Sequence, residues 1–251
     1  MPMDSRSSFL RSIALDRAAF PPDRHYPFNL ASVRGLDKLD FHSKVTYIVG
    51  ENGMGKSTLM EAIAVAWGFN PEGGTKNFSF STSSTHSELH EYIRLVRGMR
   101  QARDGFFFRA ESYYNLATNI DELDREAGGP RIKDSYGGKS LHEQSHGESF
   151  FSTFVHRFGG SGLYILDEPE AALSPLRQMS MLARMHELVG YDSQFIIATH
   201  SPILMAYPDS IMYRLTSDGI ETTTLEETDH FIITKRFLND KERMLRELFG
   251  E

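Results

Sequence analysis

The chain has 251 residues, 40% hydrophobic and 24% charged, the balance of an ordinary globular protein and not of a disordered or fibrous one. Its 27 basic and 34 acidic side chains give a net charge of −7, which excludes a protein that coats nucleic acid with its whole surface and leaves room only for a local basic patch. With no cysteine, disulfides, thiolate metal sites and a cysteine nucleophile are excluded; charges throughout the first twenty residues and the lack of any run of 18 apolar residues predict a cytoplasmic chain without membrane insertion.

Between Ile13 and Phe41 short apolar stretches alternate with Pro21, Pro22, Pro27 and Gly35, which predicts short strands and turns ahead of a core strand over 44–49. A helix over 57–67 follows, with Leu59, Met60, Ile63, Ala64 and Trp67 on one face and Gly68 to stop it. Residues 70–147 are broken by Gly73-Gly74, Gly128-Gly129-Pro130 and Gly137-Gly138, so no coiled coil runs through them. Within that stretch, 92–96 and 106–110 read as two strands joined by a turn at Asp104-Gly105, with a helix as the alternative for the first. Regularity returns with a helix over 150–158, a buried strand over 163–166 and a helix over 175–188. The last has Ser174 as cap, Pro175 at its first position, a stripe of Leu176, Met179, Leu182, Met185 and Leu188, and Gly190 as its end. A second buried strand over 194–198, a strand over 211–215, a polar stretch over 216–229 and a helix over 240–249 complete the chain. Strands separated by helices of this length predict an α/β fold with a mostly parallel core sheet and right-handed crossovers.

Three segments carry chemistry. Gly50-Glu51-Asn52-Gly53-Met54-Gly55-Lys56-Ser57 fits G-x-x-x-x-G-K-[ST] between an apolar strand and a helix, where backbone amides and a helix N-terminus can wrap phosphate oxygens. Lys56 then reaches the β- and γ-phosphates and the Ser57 hydroxyl can ligate Mg²⁺, with Thr58 beside it; the competing explanation is a glycine-rich turn carrying an exposed lysine. Leu163-Tyr164-Ile165-Leu166-Asp167-Glu168 sets two carboxylates where a buried strand runs out, the edge at which open α/β sheets bind ligands. Asp167 is the candidate Mg²⁺ holder and Glu168 the candidate general base, against an ordinary acidic turn before Pro169. His200, ending Ala198-Thr199-His200, emerges at the same edge, placed to stabilise a transferred phosphoryl group.

These residues resemble the ABC-type ATPase heads of the P-loop NTPases, in particular the SMC, RecF and OLD-like branch of predicted AAA ATPases. Residues 50–57 look like Walker A, 163–168 like Walker B with its catalytic Glu168, His200 like the switch histidine, and Ser145-His146-Gly147-Glu148-Ser149 like a variant signature segment. The resemblance implies ATP and Mg²⁺ as cofactors and a single domain over 1–251 with an inserted, signature-bearing segment over 69–150 and a small antiparallel β subdomain. It also implies an ATP-dependent homodimer in which Ser145, Gly147 and Glu148 complete the partner's site and hydrolysis reopens the pair. The alternatives are an ATP-gated module working with a nucleic acid or a nuclease partner, and a transporter cassette. Three departures bear on these: Glu111 or Ser112 stands where cassettes carry a glutamine, Ser174 stands where the loop after Walker B has an aspartate, and no long arm or Toprim region is seen. Tyr26 and Phe28 are candidate adenine-stacking residues. Arg94, Arg97, Arg100, Arg103 and Arg109, with Tyr113 and Tyr114, are a candidate phosphate-backbone grip, and the histidines 86, 90, 142 and 146 show no zinc-ligand spacing.

Overall fold

A computed structural model describes residues 8–20, 25–76, 87–126, 131–143 and 146–250, with the side chains of 126, 143 and 146 outside the description. Strands β1 (Leu10–Leu15), β2 (Lys38–Asp40) and β4 (Ile93–Arg97) form a small antiparallel sheet in the order β2-β1-β4. The main sheet runs β5-β6-β7-β3-β8-β9 and is built from β3 (Val45–Gly50), β5 (Asp104–Arg109), β6 (Gly162–Asp167), β7 (Gln194–Ala198), β8 (Ser210–Thr216) and β9 (Gly219–Thr222). All its neighbours are parallel except the β8–β9 hairpin. Helices α1 (Ala31–Arg34), α2 (Lys56–Trp67), α3 (Tyr113–Glu126), α4 (His146–His156), α5 (Pro175–Gly190), α6 (Pro202–Met205), α7 (Asp229–Asn239) and α8 (Lys241–Phe249) complete the order.

The main sheet has two buried faces, and the two-residue period of its strands assigns them. Val45, Tyr47, Phe106, Tyr164, Leu166, Phe195 and Ile197 pack with residues of α3, α4 and α5. Ile48, Phe107, Leu163, Ile165, Ile196 and Ala198 pack with α2 and the small sheet. Gln194, fully buried in β7, joins the two sheets: its Oε1 accepts from the backbone of Phe9 (3.0 Å) and Leu10 (2.9 Å), and its Nε2 donates to the carbonyls of Leu10 (2.8 Å) and His42 (2.9 Å).

Several expectations need correction. Residues 92–96 and 106–110 are not a hairpin. β4 pairs with β1 in the small sheet, β5 pairs in parallel with β6, and Asp104-Gly105 opens β5 where a turn was expected. The buried face of α5 is Met181, Met185 and Leu188, whereas Leu176 and Met179 are 70% and 54% exposed. Gly190 is the last residue of that helix and not a stop beyond it. The helix over 150–158 begins a turn earlier, at His146. The polar stretch over 216–229 contains β9, and α7 precedes the expected terminal helix.

Candidate nucleotide site

The site is built where β3, β6 and β7, three neighbouring parallel strands, end at one edge. The register aligns Ile48 with Ala198 and Ala198 with Asp167, so the segments following each strand emerge side by side. After β3 the chain turns through Gly50, Gly53 and Gly55, all at positive φ, into α2. At Gly50 (φ 140°) the reason is also steric, since a Cβ there would lie 2.5 Å from the Leu215 carbonyl of β8. At Gly55 (φ 89°) a Cβ would come within 2.9 Å of both Leu30 and Ser32.

Lys56 is buried at the first position of α2, and its ammonium donates to the carbonyls of Gly50 (2.8 Å) and Glu51 (3.0 Å). Burial lowers its pKa, opposed by Glu168, Asp167 and Glu170. Ser57 donates to Asp167 Oδ1 at 3.2 Å. Asp167 is buried at the end of β6, and desolvation pushes its carboxyl up to about 7 against the Ser57 hydrogen bond and the Arg109 charge. A buried, poorly compensated carboxylate beside a hydroxyl is a hard oxygen donor set, and it fits Mg²⁺.

Glu168 sits in the left-handed region (φ 51°, ψ 52°), a conformation that costs about 1–3 kcal/mol for a residue with a Cβ. It is held there by its amide, which donates to Ala198 at 2.9 Å, and by the 3₁₀ turn Pro169–Ala172 that follows. Its carboxylate remains 38% exposed on the rim, with Oε1 3.5 Å from Nε2 of His200. His200 is fixed from two sides. Its backbone amide donates to Glu170 Oε1 at 2.5 Å, and its Nδ1 lies 2.7 Å from Nε2 of His230 on α7. Burial, then Lys56 and His230, lowers the His200 pKa, so the imidazole is neutral near pH 7.

Asn52, Gly53, Gly55, Lys56, Ser57 and Glu168 line a cleft of about 390 Å³, together with Thr58, Tyr26, Leu30 and Glu111. Glu51 is exposed beside it, and Met54 accepts on its carbonyl from the Ser32 hydroxyl at 2.8 Å. Thr58 does not present a free hydroxyl, because it shares a 2.9 Å hydrogen bond with Tyr26. Of the two adenine candidates, Phe28 is overturned: it is 1% exposed and ringed by Phe20, Tyr92 and His25 at 4.9–5.3 Å. Tyr26 is 59% exposed at the cleft.

The basic cluster does not assemble either. Arg94 pairs with Asp16, Arg100 with Asp192, and Arg97 lies over Trp67. Tyr113 is buried and bonded to Thr153, while Tyr114 packs on His142. Arg109 instead belongs to the site, held by Glu61 at 2.5 Å and Glu111 at 3.2 Å at the end of β5 beside Asp167. Of the two residues at the expected glutamine position, Glu111 faces the cleft, and Ser112 is buried, donating to the Glu72 carbonyl at 2.6 Å. Ser145 lies outside the described residues. Gly147 is half-buried where a Cβ would meet the Ala172 carbonyl at 2.2 Å, so close packing of α4 on the turn after Glu168 accounts for glycine there, and Glu148 is exposed. Histidine 86 lies outside the described residues, and among those described no cluster of His, Asp and Glu has a geometry that could hold a metal ion by itself. Glu170 and His230 were not singled out from sequence. An acidic residue two places after Glu168 offered a weak signal for the first, and nothing local marked the second.

The family model described as an AAA domain matches residues 28–149. The ribose import ATP-binding protein RbsA of Yersinia pestis is 26% identical over 161 residues, a match covering 57% of this chain and 30% of that protein. The chain thus spans less than a third of that relative's length. Among solved structures, the SMC head domain from Thermotoga maritima is 17% identical, covering 86% of this chain and 98% of that one at a TM-score of 0.42. The cbiO1 protein from Clostridium perfringens, part of an ABC transporter complex, is 16% identical, covering 97% of this chain and 100% of that one at a TM-score of 0.48. The phosphate loop at the start of α2, the acid pair at the end of β6 and the AAA-domain match across residues 28–149 together support a P-loop ATPase domain of the ABC type.

Proposed function

We propose that this chain is an ATP-gated head that pairs with a second copy across bound nucleotide and separates on hydrolysis, a single unit over residues 1–251 in which 69–150 is the inserted segment presented to the partner. The observation that carries this is the open rim of the site. Lys56, Ser57, Asp167 and His200 are packed in from the protein side, while Glu168 faces outward between the phosphate-loop cleft and a cavity of about 600 Å³ lined by Phe108, Tyr113, Gly147, Phe150 and Pro169. A site finished by a partner needs such an open side, and the segment at 145–148 would be the partner's contribution.

In this reading Lys56 gives up its two carbonyl partners to the β- and γ-phosphates, and the amides of 53–57 hold the remaining oxygens. Ser57 and Asp167 would hold Mg²⁺, which would neutralise negative charge on the triphosphate. Glu168 accepts the proton of the attacking water on its exposed carboxylate, and His200 donates from Nε2 to the phosphoryl oxygens as charge builds. Replacing Lys56 by Ala should weaken ATP binding itself, read by nucleotide titration.

A transporter cassette has one observation in its favour, the 26% identity to an import ATP-binding protein, and Glu111 in place of a glutamine against it. A nucleic-acid or nuclease partner draws no support from the arginines, since Arg94, Arg100 and Arg109 are held in separate ion pairs and Arg97 lies over Trp67. Among the described residues no helix is long and apolar enough to cross a membrane. Turnover per chain, measured over a hundredfold range of protein concentration, tests the paired head: the rate per chain rises as copies meet. A rate that stays flat while the protein remains a monomer contradicts it.

A further inference from the structure

The contact between His200 and His230 is left over by the mechanism above. His230 is on α7, a helix none of whose residues is buried, so packing of that helix does not explain the position of this side chain. The segment leading to it is nevertheless firmly anchored. Thr224 and Glu227 form a capping box, and Arg214 of β8 donates to the Glu227 carbonyl at 3.2 Å. Thr228, 1% exposed, donates to Leu225 at 2.7 Å and caps α7 by accepting from Phe231. The chain thus delivers the first turn of α7 to the end of β7, where Nε2 of His230 meets Nδ1 of His200 at 2.7 Å.

Two neutral imidazoles at that distance share one proton, and its location decides what His200 shows to the site. Were His200 the donor, its Nε2 would turn a lone pair toward the Glu168 carboxylate 3.5 Å away and toward incoming phosphate oxygens, all of them acceptors. Were His230 the donor, Nε2–H of His200 would point at those acceptors. This Nε2 is buried, and among the described residues it has no hydrogen-bond partner better placed than Glu168 Oε1 at 3.5 Å, so its proton is available to an oxygen arriving beside Glu168. The groups facing the pair are Lys56, Glu168 and Glu170 around His200, with Lys56, Glu51 and Asp229 around His230. Burial and Lys56 disfavour a second proton on either ring, and the N-terminal end of α7 disfavours a cation at His230 as well.

We propose that His230 is a positioning residue for ATP hydrolysis: by donating Nε2–H to Nδ1 of His200 it fixes His200 in the tautomer whose Nε2–H faces Glu168 and the γ-phosphate. The proposal rests on the role given to His200 above, and the test separates the two. Steady-state turnover and KM for Mg-ATP are measured on the full chain for His230→Gln, His230→Glu and His200→Ala, and for His230→Glu combined with His200→Ala. Glutamine keeps an N–H donor at about the reach of Nε2, whereas glutamate is its isostere without the donor and suits a helix N-terminus, so it should fold.

The expected result is a kcat within about twofold of wild type for His230→Gln. For His230→Glu, kcat falls by about 10- to 100-fold, the loss typical when the partner that orients a functional histidine is removed. KM and the thermal midpoint stay near wild type, and the second substitution has no further effect once His200 is Ala. A slow His200→Ala with a wild-type His230→Glu, or equal slowing by His230→Glu in both backgrounds, overturns the proposal and leaves His200 in place. A wild-type rate for His200→Ala overturns both.

Discussion

Asp167 and Glu168 are neighbours in sequence with opposite environments, and that difference separates their chemistry. Asp167 is sealed at the end of β6, with a carboxyl pushed up to about 7 by desolvation; Glu168, turned outward by its left-handed backbone, is 38% exposed. A carboxyl whose folded pKa lies above its unfolded value of 3.8 binds more protons folded than unfolded between those two values, so stability falls as pH rises from about 4 to 7. In EDTA and without nucleotide, the thermal midpoint should therefore drop by several degrees between about pH 5 and pH 8. Asp167→Asn should flatten that drop while abolishing the rise in midpoint caused by Mg-ATP; an unchanged pH slope in the variant would remove Asp167 as its source. Replacing Glu168 by Gln takes away only the proton acceptor, so turnover should fall by roughly 10²- to 10⁴-fold with ATP affinity retained. Turnover above a tenth of wild type would exclude Glu168 as general base.

At the scale of elements, the edge that carries the site depends on how the small sheet is fastened to the large one. Gln194 alone makes four hydrogen bonds from β7, to Phe9 just ahead of β1, to Leu10 in β1 and to His42. Gln194→Leu would leave two amides and two carbonyls without those partners. We expect a loss of about 3 kcal/mol, which for a domain of this size is roughly 6–12 °C in thermal midpoint. A drop under 2 °C would show that the sheets are fastened elsewhere. The strands flanking the site were legible in the sequence because each is a contiguous apolar run ending in its own motif: 45–50 before the phosphate loop, 162–167 ending in Asp167, 194–198 before His200. The pairing of β4 and β5 was not, since their partners are β1 and β6, each more than 50 residues away in sequence, and local spacing favours the nearer but wrong hairpin. α7 was missed although Phe231, Ile232, Ile233, Phe237 and Leu238 supply apolar residues at helical spacing, none of which the fold buries.

For the whole molecule, the phosphate loop, the acid pair and His200 were readable from sequence because each lies within a few residues of one strand end. The contacts that set their electrostatics were not readable, since His230, Arg109 and Glu61 reach the site from 30 to more than 100 residues away. What remains open on the finished site is one rim, bounded by Glu168 and by the start of α4 at Gly147, whose backbone packs on the turn after Glu168. A head with this shape should be half of a working unit. The most direct test is the mass in solution of the Glu168→Gln protein, expected to bind ATP while hydrolysing it slowly, measured with and without Mg-ATP. We predict a monomer without nucleotide and a doubled mass with it; a mass that stays that of one chain at saturating Mg-ATP would contradict the account.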